Sequence, residues 1–120
     1  MRILVVDDNQ DGAETMARGL QLLGHDTRIA FNGGSAVKLS GLFKPDLVLL
    51  DIAMSGIDGY ETCGVIRDLL GDTVRIIAVT GLNSSEDRQR SSQAGFDDHL
   101  GKPVDWVVLK GMLVAFSAGE

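Results

Sequence analysis

Cysteine is almost absent from this chain. Cys63 stands alone among 120 residues, so no internal disulfide can form. A reducing, cytoplasmic setting is the expectation that fits, and Cys63 itself reads as a small, half-buried helix residue. Basic residues are also scarce, with 11 Lys and Arg against 17 Asp and Glu and a net charge of −6. That balance favours solubility and argues against direct nucleic-acid binding, which needs a basic face. No apolar run approaches the roughly 18 residues of a membrane span, so no membrane association of its own is expected. The opening Met1-Arg2-Ile3 leads into an apolar stretch too short for a signal peptide. No internal repeat, linker or low-complexity stretch interrupts the sequence. One domain over residues 1–120 is therefore expected, with an apolar content of 44% to fill a single core.

Within that domain, short apolar runs alternate with stretches of helical period, the βαβ pattern of a parallel α/β sheet. Strands are predicted over Arg2 to Val6, Asp26 to Ala30, Asp46 to Leu50, Val74 to Val79 and Asp97 to Leu100. Helices are predicted over Asn9 to Leu23, Ser35 to Leu42, Tyr60 to Leu70, Ser85 to Ala94 and Val104 to Phe116. In the first helix Ala13, Met16, Ala17, Leu20 and Leu23 share one face, and Gly24 is a stop signal. The second strand is the least apolar and reads as an edge strand. The fourth helix has Ala94 as its only apolar residue and a weak capping box, Ser84 followed by Asp87. It can bury little and is expected to be the least anchored element. The fifth helix is apolar almost all round. If Leu109, Met112 and Phe116 face the sheet, then Trp106, Val107 and Val114 project away from it as a patch for a partner. Five βα units give a doubly wound, five-stranded parallel sheet of order 2-1-3-4-5 with right-handed crossovers, flanked by five helices.

Several polar residues stand at the ends of the apolar runs. Asp7 and Asp8 follow Ile3-Leu4-Val5-Val6, Asp51 follows Leu47-Val48-Leu49-Leu50, and Thr80 follows Ile76-Ile77-Ala78-Val79. Lys102-Pro103 comes soon after Phe96 to Leu100. The carboxyl ends of parallel strands open onto one shared crevice where ligands bind. Three carboxylates gathered there repel one another unless a counter-ion is present, and a hard dication such as Mg²⁺ suits them. The competing reading makes Asp7 and Asp8 caps of the first helix and Asp51 the cap of a turn. Lys102 can place a charge on a phosphoryl oxygen, and Thr80 can donate a hydrogen bond to another. A carboxylate flanked by Mg²⁺ and lysine can attack phosphorus and form an acyl phosphate. Asp51, isolated at the end of the most apolar strand, is the candidate nucleophile, and the adjacent Asp7 and Asp8 suit paired metal ligands. The glycines Gly33-Gly34 and Gly56 with Gly59 match neither a dinucleotide fingerprint nor a P-loop and read as turns.

Taken in order, Val5-Val6-Asp7-Asp8-Asn9, Leu49-Leu50-Asp51 through Gly59-Tyr60-Glu61, Val79-Thr80-Gly81 and His99-Leu100-Gly101-Lys102-Pro103-Val104 resemble a response-regulator receiver domain over essentially the whole chain. The resemblance implies a flavodoxin-like fold with Asp51 as phospho-acceptor. It implies Mg²⁺ on Asp7, Asp8, Asp51 and the backbone carbonyl of Ala53. Thr80 and Lys102 would bind the phosphoryl group, and the Lys102–Pro103 peptide would be cis. The phosphoryl donor would be a sensor histidine kinase or a histidine phosphotransfer protein. A homodimer through the fifth helix is a further option. The phrases near both ends are similar to receivers of hybrid sensor histidine kinases, so the chain reads as a module that a longer protein could contain. Ser55 stands where the family usually has proline. His99 stands at the switch position, where an aromatic is usual, and is either a switch residue or an exposed edge histidine. Trp106 stands where a polar residue is common, and His25 reads as a turn residue.

Two other functions compete. A small Mg²⁺-dependent phosphatase that passes through an aspartyl phosphate would want a second acid two residues after the nucleophile, where this chain has Ala53. A docking module that needs no phosphorylation would not need Asp7, Asp8, Asp51, Thr80 and Lys102 together. A receiver would promote its own phosphorylation and its own hydrolysis, rather than turn over a substrate as a conventional enzyme does.

Overall fold

The computed structural model describes residues 1–52, 59–81 and 85–118, with the side chains of 85–88 and 118 left out of the description. Five strands, β1 (Arg2–Val6), β2 (Asp26–Ala30), β3 (Leu47–Asp51), β4 (Arg75–Thr80) and β5 (Asp98–Gly101), form one sheet in the order β2-β1-β3-β4-β5. All four pairings are parallel. Five helices connect and flank them: α1 (Gln10–Leu22), α2 (Gly33–Phe43), α3 (Gly59–Leu70), α4 (Ser85–Ala94) and α5 (Trp106–Ala118). A single 3-10 turn, Gly71–Thr73, precedes β4.

The inner strands are continuous apolar runs because helices cover both faces of the sheet. All five residues of β3 are buried, whereas β2 at the edge alternates between buried and exposed. Successive side chains point to opposite faces, so the strands feed two cores. Leu4, Val6, Val48, Leu50, Ile76 and Ala78 meet Ala36, Cys63, Ile66 and Phe96 on one face. On the other, Ile3, Val5, Leu47, Leu49, Ile77 and Val79 meet Ala13, Ala17, Leu20, Leu109 and Leu113. Asn9 caps α1 by accepting the Gly12 N–H at 2.8 Å, and Asn32 caps α2 by accepting that of Ser35 at 2.8 Å. Asn9, rather than Asp7 or Asp8, is therefore the N-cap of α1, while Asp7 Oδ1 accepts the Asn9 N–H at 3.0 Å.

Several expectations need correction. Cys63 is fully buried, not half-buried, and burial pushes its thiol up to about 11. Leu23 lies past the end of α1 as its C-cap and is 40% exposed, so it leaves the buried face. Leu113 joins Leu109 in the core beneath α5, while Met112 and Phe116 are only partly buried against it. Val107 and Val114 do project outward, but Trp106 packs against the core beside Gly19 of α1. β3 and β4 run on through Asp51 and Thr80, β5 runs through Gly101, and α5 starts two residues late, because Asp105 caps it by accepting the Val107 N–H at 2.9 Å. Asp46 falls outside β3 and accepts the Arg2 N–H at 2.7 Å. Ala53, Ser55 and the rest of segment 53–58, the segment 82–84 and the Ser84–Asp87 capping box lie outside the described residues or side chains. Among the described residues, no helix is long and apolar enough to cross a membrane.

Candidate functional site

Parallel register brings the predicted residues to one edge. Val6 pairs with Leu50 and Asp51 with Val79, so the ends of β1, β3 and β4 lie side by side. Asp7, Asp8 and Asp51 each offer a carboxylate oxygen, and these oxygens all lie within 4.8 Å of one another. Asp51 is the buried member, with a side chain 5% exposed. Lys102 reaches across from the turn after β5 and donates from Nζ to Asp51 Oδ2 at 2.9 Å. Thr80 is fully buried at the end of β4, and its carbonyl accepts the Lys102 N–H at 2.9 Å. That bond ties the lysine's backbone to the strand that carries the hydroxyl. The Lys102–Pro103 peptide is cis.

The charges are unbalanced. Burial pushes the Asp7 carboxyl above its ordinary range. The Asn9 N–H and Lys102 pull it back, and the charge of Asp51 adds to the rise. For Lys102, burial alone would lower the ammonium. The hydrogen bond and charge of Asp51, with Asp7 and Asp8 behind, hold it above its ordinary value instead. Three carboxylates against one ammonium leave an excess of negative charge in a partly buried hollow. The donors are all oxygens, two carboxylates are accessible, and their spacing is compact. That is the donor set a hard dication such as Mg²⁺ takes.

His99 pairs with Ala78 in the β4–β5 register, while Thr80 pairs with Gly101, so both lie toward the same sheet face. Its Nε2 is buried and has no hydrogen-bond partner among the described residues. This orientation is that of an inward-facing ring rather than an exposed edge histidine. Ser91, Ser92, Phe96, Asp97 and Asp98 surround it in a hollow of about 270 Å³. A second cavity of about 500 Å³ lies between α1 and the turn after β5, with Asp7 and Lys102 at the polar end and Leu49, Val79, Met16 and Trp106 along its walls. His25 sits at a turn far from this edge, its Nδ1 3.1 Å from the amino terminus.

Two structural groups were not singled out by sequence reasoning. Arg67, in the last turn of α3, donates to the carbonyls of Gly71, Val74 and Gly95 and to Asp97 Oδ2, at 2.7–2.9 Å. Tyr60 packs edge-on against Phe96 with ring centroids 6.2 Å apart, and the Arg90 guanidinium lies 4.1 Å from its centroid. An isolated arginine at a helix end gives no local signal of either arrangement, because the partners come from distant elements.

Known proteins are similar to this chain in sequence and in fold. The chain is 37% identical over 103 residues to response regulator MprA of Mycobacterium avium (strain 104), a match that covers 86% of this chain and 45% of that protein. It thus spans less than half the length of that relative. The crystal structure of a two-component response regulator from Clostridium difficile superposes with a TM-score of 0.92 at 27% identity, covering 98% of this chain and 96% of that one. A response regulator from Burkholderia pseudomallei, crystallised with a phosphorylated aspartic acid, calcium ion and citrate, superposes with a TM-score of 0.84 at 32% identity, covering 96% and 65%. Residues 3–113 match the profile of the response regulator receiver domain, and the chain belongs to that family.

Proposed function

We propose that Asp51 is the phospho-acceptor of this two-component receiver and that Lys102, Thr80, Asp7 and Asp8 form its phosphorylation machinery. The observation that carries the reading is the Lys102–Asp51 contact at 2.9 Å, inside a cluster whose three carboxylates lie within 4.8 Å of one another. Asp51 is the buried carboxylate of the three and the one that Lys102 contacts. One of its oxygens forms the new P–O bond as the P–N bond to a donor phosphohistidine breaks, and the imidazole leaves with the electron pair. Lys102 neutralises charge on the transferring group, and Thr80 donates its hydroxyl hydrogen to a phosphoryl oxygen. Asp7, Asp8, Asp51 and the Ala53 carbonyl would hold Mg²⁺, which when bound supplies electrostatic stabilisation of the phosphoryl oxygens. His99, facing inward near Thr80, serves as a polar switch residue.

The donor is a sensor histidine kinase or a histidine phosphotransfer protein, and the setting is cytoplasmic. A hybrid kinase is one parent consistent with the sequence phrases at both ends. Val107, Val108 and Val114, all at least 50% exposed on α5, support that helix as a contact for the donor or for a second receiver. The phosphorylated aspartic acid named for the Burkholderia pseudomallei relative supports the assignment of the chemistry. Ala53, standing where an aspartyl-phosphate phosphatase would want its second acid, disfavours the phosphatase reading.

Intact-mass measurement after incubation with acetyl phosphate and Mg²⁺ tests the proposal. The native chain should gain one phosphoryl group. Asp51→Asn should gain none while keeping its fold, and Asp8→Ala should lose most of the Mg²⁺ dependence. Equal labelling of Asp51→Asn would overturn the assignment, and continuous release of phosphate without a labelled protein would favour the phosphatase.

A further inference from the structure

We infer that the contact between Arg90 and Tyr60 holds α4 in its unphosphorylated position and thereby sets how readily Asp51 is phosphorylated. This inference rests on Asp51 being the phospho-acceptor. Its starting point is Gly59. A Cβ built there would lie 2.6 Å from Ile52 Cα and 3.0 Å from the Ile52 carbonyl oxygen. The first residue of α3 is therefore pressed onto the backbone immediately after Asp51, with no side chain between them. A displacement of that backbone has little slack to absorb it before it reaches α3.

Tyr60 is the next residue. Its ring meets Phe96 at 6.2 Å and nearly perpendicular, and it carries the Arg90 guanidinium at 4.1 Å. Arg90 belongs to α4, whose sequence offers Ala94 as its only apolar residue. The far end of α4 is pinned differently. Gly95 leaves the helix with φ +107°, and Arg67 clamps its carbonyl and the Asp97 carboxylate, each at 2.7 Å. Ser91 is buried beside this clamp. The helix thus has a fixed carboxyl end and, in its middle, a cation–π contact that an exposed arginine can exchange for water at low cost. The Tyr60 ring that meets Arg90 of α4 stands one residue after Gly59, whose backbone abuts that of Ile52.

If α4 must leave this position for Asp51 to become phosphorylation-competent, loosening the contact raises the competent population and the labelling rate by the same factor. The size of an exposed cation–π contact sets that factor at about two- to fivefold. The experiment uses the full chain with limiting acetyl phosphate and Mg²⁺. Initial labelling of Asp51 is followed by intact mass, and hydrogen exchange is read over residues 89–94 without phosphodonor. Arg90→Gln and Tyr60→Leu should each speed labelling about two- to fivefold and hasten exchange in α4. Adding Arg90→Gln to Tyr60→Leu should bring no further gain, because the contact Arg90 makes with Tyr60 is already lost, while Tyr60→Leu also gives up the edge contact with Phe96. Arg90→Lys, which keeps the cation, should stay near the native rate. Native labelling and native exchange in Arg90→Gln overturn the inference, as do additive effects in the double variant. If the native chain takes no phosphoryl group on Asp51, the phospho-acceptor assignment fails instead. The exchange arm then decides the Arg90–Tyr60 contact by itself.

Discussion

α4 and α5 flank β5 from opposite faces of the sheet, and they are attached by opposite means. α5 reads Trp-Val-Val-Leu-Lys-Gly-Met-Leu-Val-Ala-Phe-Ser-Ala and buries Leu109 and Leu113 against Ile77, Val79 and Leu100. α4 reads Ser-Glu-Asp-Arg-Gln-Arg-Ser-Ser-Gln-Ala and, among its described side chains, is attached through buried Ser91, Ala94 against the core and the Arg90–Tyr60 contact, with the Arg67 clamp at its end. Apolar burial is non-directional and is lost only when surface returns to water. Hydrogen bonds and cation–π contacts are directional and can be traded for other partners or for solvent at small net cost. An apolar helix therefore serves as a platform, and a polar one can shift. Under the proposed function, α4 behind Thr80 is the helix expected to respond to phosphorylation, and its composition suits that task.

Weakening each helix at its anchor separates the two modes of attachment by their cost in stability. Leu109→Ala removes a fully buried side chain beneath α5 and should cost about 2–5 kcal/mol in urea unfolding. Arg90→Gln on α4 should cost no more than about 1 kcal/mol. Similar losses for both would mean that α4 is held as firmly as α5, and the distinction between platform and mobile element would fall.

A smaller effect sharpens the α5 side. Trp106 lies so close to Gly19 that a Cβ there would come within 2.7 Å of the indole Cζ2. Alanine in place of a helical glycine ordinarily gains about 1 kcal/mol, whereas overpacking costs about 1–3 kcal/mol. Gly19→Ala should therefore destabilise the native chain by up to about 2 kcal/mol. In a Trp106→Ala background the same substitution should stabilise it, because the ring is gone. Thermal or urea unfolding of the four chains gives the sign. A stabilising Gly19→Ala in the native background would show that Trp106 is free to move and does not fasten α5 to α1.

The contrast between the helices is visible in their composition, and the strand order and the meeting of Asp7, Asp8, Asp51, Thr80 and Lys102 are visible in the pattern of the sequence. Those features follow from apolar runs, helical period and the rule that parallel strands open at one edge. Strand ends were less legible. Asp51 and Thr80 have polar side chains, yet their backbones stay paired with Val79 and Gly101, and composition reports the side chain rather than the backbone. Trp106 was misread because an apolar helix does not reveal which side its neighbour leaves open. Its space is provided by a glycine on α1, a tertiary pairing without local periodicity. Cys63, Arg67 and Tyr60 were underread for the same reason: the partners that bury or clamp them arrive from β4, α4 and the approach to β5.

The smallest expected effect on stability concerns the outer face of α5. Val107 is 80% exposed and Val114 69% exposed, about two helical turns apart on the side away from Leu109 and Leu113. Neither side chain contributes much burial, so changing both to serine should move the unfolding free energy by no more than about 0.5 kcal/mol per site. Labelling of Asp51 by acetyl phosphate should be unaffected, since neither side chain lines the cavity beside Asp7 and Lys102. What should fall is phosphotransfer from the cognate phosphohistidine donor, or self-association measured by light scattering, because desolvating apolar side chains contributes favourably only when a partner covers them. A large stability loss would mean that the outer face of α5 is part of the fold after all. Unchanged stability together with unchanged phosphotransfer and unchanged self-association would show that α5 is a platform alone and not a contact surface.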